Sequence, residues 1–150
     1  MNQQSIEPYI VFSVAGTSYA LRSAEVLHVE MIEQVTRVPN AAPFVDGVVF
    51  SRGQVVPAVN LRVRFGFDRV PYDLKTRLIV VQHAGRSVGL VADRSREFVA
   101  LAAATIQPPQ ESLAGSSGVY VQGIAALNDR LLFVLRLEHL LNFSEPLIAA

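Results

Sequence analysis

Three histidines are the natural place to look for chemistry, and their spacing offers none. His28, His83 and His139 sit in unrelated local contexts, with no HExxH pattern and no acidic pair to complete a metal shell. His83 adjoins a turn signal and reads as a solvated loop residue. Cysteine is absent, which removes disulfides, thiol nucleophiles and Cys-based zinc sites. There is no Gly-x-Ser-x-Gly elbow and no P-loop; Gly115 and Gly118 flank two serines without a strand–loop–helix frame. Asn142-Phe143-Ser144 has the form of a glycosylation acceptor, which has meaning only in a secreted chain. Glu30 and Glu33 have the spacing of a solvated face rather than an acid/base couple. The expectation is a protein with no catalytic residues, no metal and no cofactor.

Composition narrows the remaining classes. The 150 residues carry 13 Lys+Arg against 13 Asp+Glu, a net charge of zero. Nucleic-acid binding normally needs a net basic face to displace counterions, so that class is disfavoured. Hydrophobic residues at 51% and charged ones at 17% place the chain firmly among globular proteins. The opening MNQQSIEPYIVF lacks a basic stretch followed by a long apolar one, so no secretory signal is read there. No apolar run approaches the roughly 20 residues of a membrane span. A cytoplasmic protein without direct membrane insertion is expected. Twelve of the 13 basic residues are Arg, with Lys75 alone; base composition explains that, and so does a contact surface built on guanidinium forks.

The elements that must position any site are short strands. Tyr9–Val14, Gly16-Thr17 and Tyr19–Leu21 read as a hairpin. So do Gly47–Phe50 with Gln54–Val59 around Ser51-Arg52-Gly53, and Arg77–Gln82 with Ser87–Ala92 around Ala84-Gly85. Val119–Leu127 and Arg130–Leu135 flank Asn128-Asp129. Gly, Asn and Asp accept the positive φ that tight hairpin turns demand. Helical signals are few: Ser23 as a cap over Ala24–His28, and short amphipathic stretches at Leu61–Phe65 and Leu137–Phe143. A mainly-β fold follows.

An internal repeat sharpens it. A shift of 69 carries Ile10, Val11, Ala15, Gly16, Ser18 and Leu21 onto Ile79, Val80, Ala84, Gly85, Ser87 and Leu90. A shift of 76 carries Val45, Gly47 and Leu61 onto Val121, Gly123 and Leu137. The seven extra residues are placed in the Pro108–Gly118 stretch, which reads as a surface loop. Two lobes are predicted, about 9–68 and about 75–142, within one domain spanning 9–142. Residues 1–8 and 144–150 are read as flexible tails. Lobes this small seldom hold a sufficient core alone, so a shared apolar seam and a groove between them are expected. The strand carrying Tyr9–Val14 is a candidate for pairing with the opposite lobe.

The segment Phe44 to Arg62, FVDGVVFSRGQVVPAVNLR, resembles the signature of the CheW family of bacterial chemotaxis coupling proteins. That pattern runs Gly-Val, Asn-Leu-Arg-Gly, apolar residues, Pro, and Asp-Leu-Arg. Tyr19-Ala20-Leu21, Val29-Glu30, Thr36–Pro39, Val88–Asp93, Ile106–Pro109 and Tyr120 through Leu141 extend the match over about 130 residues. Three positions depart from it: Asn60 replaces Asp, Phe50-Ser51 replaces Asn-Leu, and His28 stands where a small aliphatic residue is common. The resemblance implies two SH3-like five-stranded barrels with short helices, the last near 137–143. It also implies a non-enzymatic scaffold with two partners, the cytoplasmic helical hairpin of a chemoreceptor and a CheA-type histidine kinase. It would be cytoplasmic and recruited to membrane receptor arrays. A coupling protein of a related pathway for pilus motility or surface sensing would look much the same. A small-barrel module for nucleic acid or peptide is the alternative of a different class.

Carried over residue by residue, the resemblance places Arg52, Glu30 and His28 on the receptor side. Gly47, Gly53, Val56 and Pro57 are assigned to the kinase contact or to structure. Gly47 and Gly123, equivalent in the repeat, read as points of close backbone approach, and Pro57 as the mark of an edge or bulge.

Overall fold

The computed structural model describes residues 5–32, 34–109 and 119–143. Strands β1 (Ile6–Val14) and β2 (Thr17–Arg22) are followed by a 3-10 turn, β3 (Val26–Met31), β4 (Val45–Ser51), β5 (Gln54–Asn60) and the one-turn helix α1 (Leu61–Arg64). The series then repeats as β6 (Arg77–His83), β7 (Arg86–Ala92), β8 (Arg94–Ala102), a 3-10 turn, β9 (Ile106–Gln107), β10 (Val121–Leu127), β11 (Arg130–Leu135) and α2 (Leu137–Leu140). The fold is mainly β, in two SH3-like lobes.

Among the described residues four hairpins close through two residues of positive φ: Ala15-Gly16, Arg52-Gly53, Ala84-Gly85 and Asn128-Asp129. Such a turn matches the right-handed twist of its strands. Registers Val14↔Thr17, Ser51↔Gln54, His83↔Arg86 and Leu127↔Arg130 follow from it.

The sheets run β8-β1-β2-β11-β10-β9 and β3-β6-β7-β5-β4. The lobes therefore do not follow the contiguous division into 9–68 and 75–142: each half contributes its first hairpin to the other half's sheet. Burial explains the exchange. Tyr9, Val11 and Ala20 face the interior of their own lobe, whereas Ile10, Phe12, Val14, Tyr19 and Leu21 face the seam. Leu78 and Val80 point inward, and Ile79, Val81, Val88 and Leu90 join the same seam. A hairpin apolar on both faces must be covered on both, and the middle of the opposite sheet provides that. Each sheet closes the exchange with a parallel pair, β11 with β2 and β5 with β7.

Equivalence extends to the edges. β9 pairs Gln107 with Ile124, and an isolated bridge pairs Thr36 with Val48 at the matching point. Two of the seven extra residues thus precede Gln107 rather than all falling in the later loop. Gly47 has φ 147°, and a Cβ there would collide with the Thr36 carbonyl and sit 2.7 Å from Val35 Cγ1. At Gly123 a Cβ would lie 2.6 Å from Ile106 Cγ2 and 2.8 Å from the Gln107 oxygen. Both glycines let an edge segment cross directly over the strand.

Local expectations change in four places. Residues 6–8 are strand, not tail. Ser23 caps nothing; it lies inside a turn that ends at Glu25, and the chain is extended from Val26. The helix expected over 137–143 is a single turn ending at Leu140, where Leu141 leaves helical geometry. Pro57 lies on an internal strand. It is tolerated because Val48, its partner, directs its N–H and C=O to Thr36, and because pairing of β5 with β7 begins at Ala58. Glu33, residues 110–118 and the 144–150 tail lie outside the described residues, as do residues 1–4.

Polar ties complete the scaffold. Asn60 caps α1, its Oδ1 accepting from Val63 N–H at 3.3 Å, while its Nδ2 donates to Asp46 at 2.8 Å. Asp46 also accepts from Arg69 Nε at 2.7 Å and from the Tyr72 hydroxyl, pinning the connector between the halves. Arg64 lies 4.7, 5.0 and 4.7 Å from the rings of Phe44, Tyr120 and Phe143. Its Nε and Nη2 donate to the carbonyls of Leu140 and Asn142, which fastens α1 to the end of α2.

Candidate functional site

The β4–β5 hairpin tip is the feature that stands out chemically. Its turn holds Arg52 in the left-handed region at φ 48°, exposed, with Gly53 beside it at φ 82°. Phe50 and Val55 form a cross-strand pair just behind, 74% and 66% exposed. A guanidinium flanked by uncovered apolar side chains is the composition of a contact surface rather than of a reaction centre. Among the described residues no group of three or more His, Cys, Asp or Glu side chains could hold a metal ion.

Beside the tip, the sheet's two edge strands meet. His28 and Glu30 on β3 share a face, and Ser51 on β4 reaches them. His28 Nε2 lies 2.8 Å from Glu30 Oε2 and 3.0 Å from Ser51 Oγ, and Ser51 Oγ donates to Glu30 Oε2 at 2.8 Å. β3 and β4 stand at opposite ends of the strand order, so this trio joins the rolled sheet where no ladder does. Of the sequence-derived residues, His28 and Glu30 are thus in contact, and Arg52 follows directly on their partner Ser51. Two of the three departures from the family pattern, His28 and Ser51, bond to one another.

The other residues named from sequence shape the hairpin itself. Val56 is 1% exposed and presents no surface to a partner. Gly47 is packed against the 35–36 segment, and Gly53 supplies positive φ in open space. Pro57 is half-buried opposite Val48. Sequence reasoning passed over Ser51 as a turn residue, although it is 4% exposed and central to the trio. Its alternation with Val49 on a half-buried strand was the available signal.

The second lobe ties its edge strand through a different pair. Glu97 on the edge strand β8 forms an ion pair with Arg130, the first residue of β11, and Glu97 is the register equivalent of His28, each lying one residue past a bulge. Between the lobes the apolar seam is closed by its own packing. A cleft of about 800 Å³ opens beside β1, β2, β9, β10 and β11, with His83 at its rim; Arg22, Glu25, Arg136 and Glu138 line it together with Tyr9, Ile106, Leu135 and Leu137. No helix among the described residues is long and apolar enough to cross a membrane.

Comparison with known proteins agrees with this architecture. The family model of the CheW-like domain matches residues 8–145. The chemotaxis protein CheW of Klebsiella aerogenes is 32% identical over 139 residues, covering 93% of this chain and 84% of that protein. Its namesake from Helicobacter pylori is 31% identical over 141 residues, covering 94% and 85%. The crystal structure of the scaffolding protein TtCheW from Thermoanaerobacter tengcongensis superposes with a TM-score of 0.86 at 26% identity, covering 96% of this chain and 98% of that one. Matched from its first strand to beyond its last helix, the chain belongs to the CheW-like domain family.

Proposed function

We propose that this protein is a non-enzymatic adaptor of a bacterial chemosensory pathway that couples the helical tip of a membrane receptor to a CheA-type histidine kinase. It acts in the cytoplasm, drawn to the membrane by the receptors it binds. Proteins of this family are non-enzymatic scaffolds, and the relatives named above are chemotaxis proteins.

One observation carries the reading onto particular residues. Of the four hairpin turns among the described residues, three begin with Ala15, Ala84 or Asn128, and of these four only the β4–β5 turn begins with a long cation. Arg52 holds a positive φ that Asn or Gly would adopt at lower cost, so the fold alone gives no reason for it. We assign Arg52, with Glu30 and His28 beside it, to the receptor contact. A helix laid across this tip would place apolar side chains on Phe50 and Val55 and a carboxylate on Arg52. On the kinase side the outer face of β4–β5 at Val48 and Pro57 is the available surface; Gly47, Gly53 and Val56 shape the hairpin behind it.

The test is reconstitution. Purified protein is titrated with a soluble receptor cytoplasmic fragment, with the kinase's regulatory domain, and with both. Binding to each and a three-component complex on size exclusion are expected. Failure to bind either protein, together with binding to single-stranded nucleic acid, would end the adaptor reading.

A further inference from the structure

We propose that His28 and Ser51 work as one positioning unit, fixing the Glu30 carboxylate so that its outer oxygen meets a hydrogen-bond donor on the receptor helix. This rests on the reading that the face beside Arg52 binds receptor.

The geometry is that of a carboxylate held from behind. Ser51 is the most buried of the three, the His28 side chain is 13% exposed and that of Glu30 27%. Both inner groups converge on the same oxygen, Oε2. Oε1 has no partner among the described residues and is free to accept. A glutamate so fixed has already lost the rotamer freedom that binding would otherwise remove.

Closing the lobe does not require this arrangement, and the molecule contains its own control. By the strand registers, the second lobe places Glu97, Val99 and Leu127 where the first has His28, Glu30 and Ser51. Two of those three are apolar, and the same gap is closed by the Glu97–Arg130 pair, whose groups satisfy each other. The first lobe instead uses three polar side chains and leaves Glu30 Oε1 without a partner among the described residues. That acceptor and the Arg52 cation, one residue past Ser51, together describe the partner: a helix face with a carboxylate for Arg52 and an Arg, Lys or amide side chain for Glu30.

Isothermal titration of the full chain with a receptor cytoplasmic fragment tests the unit. Ser51→Ala and His28→Leu should each weaken binding about 3- to 10-fold, the order expected when one more side chain must be immobilised. Ser51→Thr, which keeps the hydroxyl, should restore most of it. In a Glu30→Ala background neither change should cost more, and affinity for the kinase regulatory domain should not move. Should Ser51→Ala melt early, His28→Leu poses the same question from the other strand. Wild-type affinity in both variants overturns the proposal, as does an equal loss with and without Glu30. If Arg52→Glu and Glu30→Ala themselves bind receptor normally, the receptor face is misassigned and the proposal falls with it. If they weaken binding while the two positioning variants do not, only the positioning role fails.

Discussion

Arg62 grips Asp93 with two nitrogens: Nε lies 3.0 and 3.1 Å from the carboxylate oxygens and Nη2 lies 2.8 Å from Oδ2. The same Oδ2 accepts the Ala15 N–H at 2.8 Å, and the Asp93 N–H donates to the Ser13 carbonyl at 3.0 Å. One carboxylate thus joins α1 and β7 of one lobe to the turn of the hairpin lodged in the other. Bidentate pairing is the strong form of this interaction.

Removing the clamp should loosen the docking of the lobes. Asp93→Ala leaves Arg62 without its partner and the Ala15 N–H without an acceptor, at about 1.5–3 kcal/mol for charge-assisted bonds. Urea unfolding at neutral pH would show it as a lower midpoint. A change under about 0.5 kcal/mol would mean that solvent replaces the clamp at no cost.

The two crossover glycines give a graded expectation. Gly47→Ala meets the Thr36 carbonyl and also forces a side chain onto φ 147°, so strain and overpacking add, about 2–5 kcal/mol together. Gly123→Ala meets only crowding, part of it from the Ile106 side chain, which can turn away. The Gly47 variant should therefore be the less stable of the two. The reverse order in unfolding measurements would contradict the crossover account.

What was legible in the sequence was what is local. The four turns showed through Gly16, Gly53, Gly85 and Asn128-Asp129, because positive φ restricts residue type at the turn itself. The repeat showed because both halves fill the same interior positions. β3 and β8 were not read as strands: each carries a bulge, opposite Val81/Val80 and Phe12/Val11, which breaks the alternation a strand leaves in sequence. The hairpin exchange left only an indirect trace, the unbroken apolar runs at Tyr9–Phe12 and Leu78–Val81. The His28–Ser51 contact left none, since two residues 23 apart meet only after a five-stranded sheet has rolled its edges together.

Alkaline pH should probe the connector. Burial, then the hydrogen bond to Asp46 and its charge, push the Tyr72 phenol well above its ordinary value near 10. The folded protein then keeps a proton that the unfolded chain releases above pH 10, so this contribution is full below pH 10 and falls as pH rises past it. The slope is about 1.4 kcal/mol per pH unit. Tyr72→Phe loses the hydrogen bond at neutral pH but cannot ionise, so its deficit relative to the native chain should shrink between pH 10 and 11.5. A deficit constant across that range would show that Tyr72 ionises as freely folded as unfolded.

Replacing Arg52 by Asn should separate binding from stability. The turn holds Arg52 at φ 48° and Gly53 at φ 82°, and Asn-Gly is the pair best suited to a turn with both angles positive. A non-glycine, non-Asn residue there carries backbone strain, so Arg52→Asn should melt at or slightly above the native temperature, by no more than about 1 kcal/mol in stability. Binding should move the other way. The guanidinium is exposed in the free protein, and losing it from a desolvated charge pair in the complex costs about 2–5 kcal/mol, or roughly 30-fold to several-thousand-fold in affinity. Arg52→Glu should bind more weakly still, because like charge then faces the acidic partner. Thermal unfolding and titration against the receptor fragment read the two effects separately. A variant that melts higher and binds normally would show that Arg52 is a turn residue and nothing more; one that melts several degrees lower would show that its side chain supports the fold.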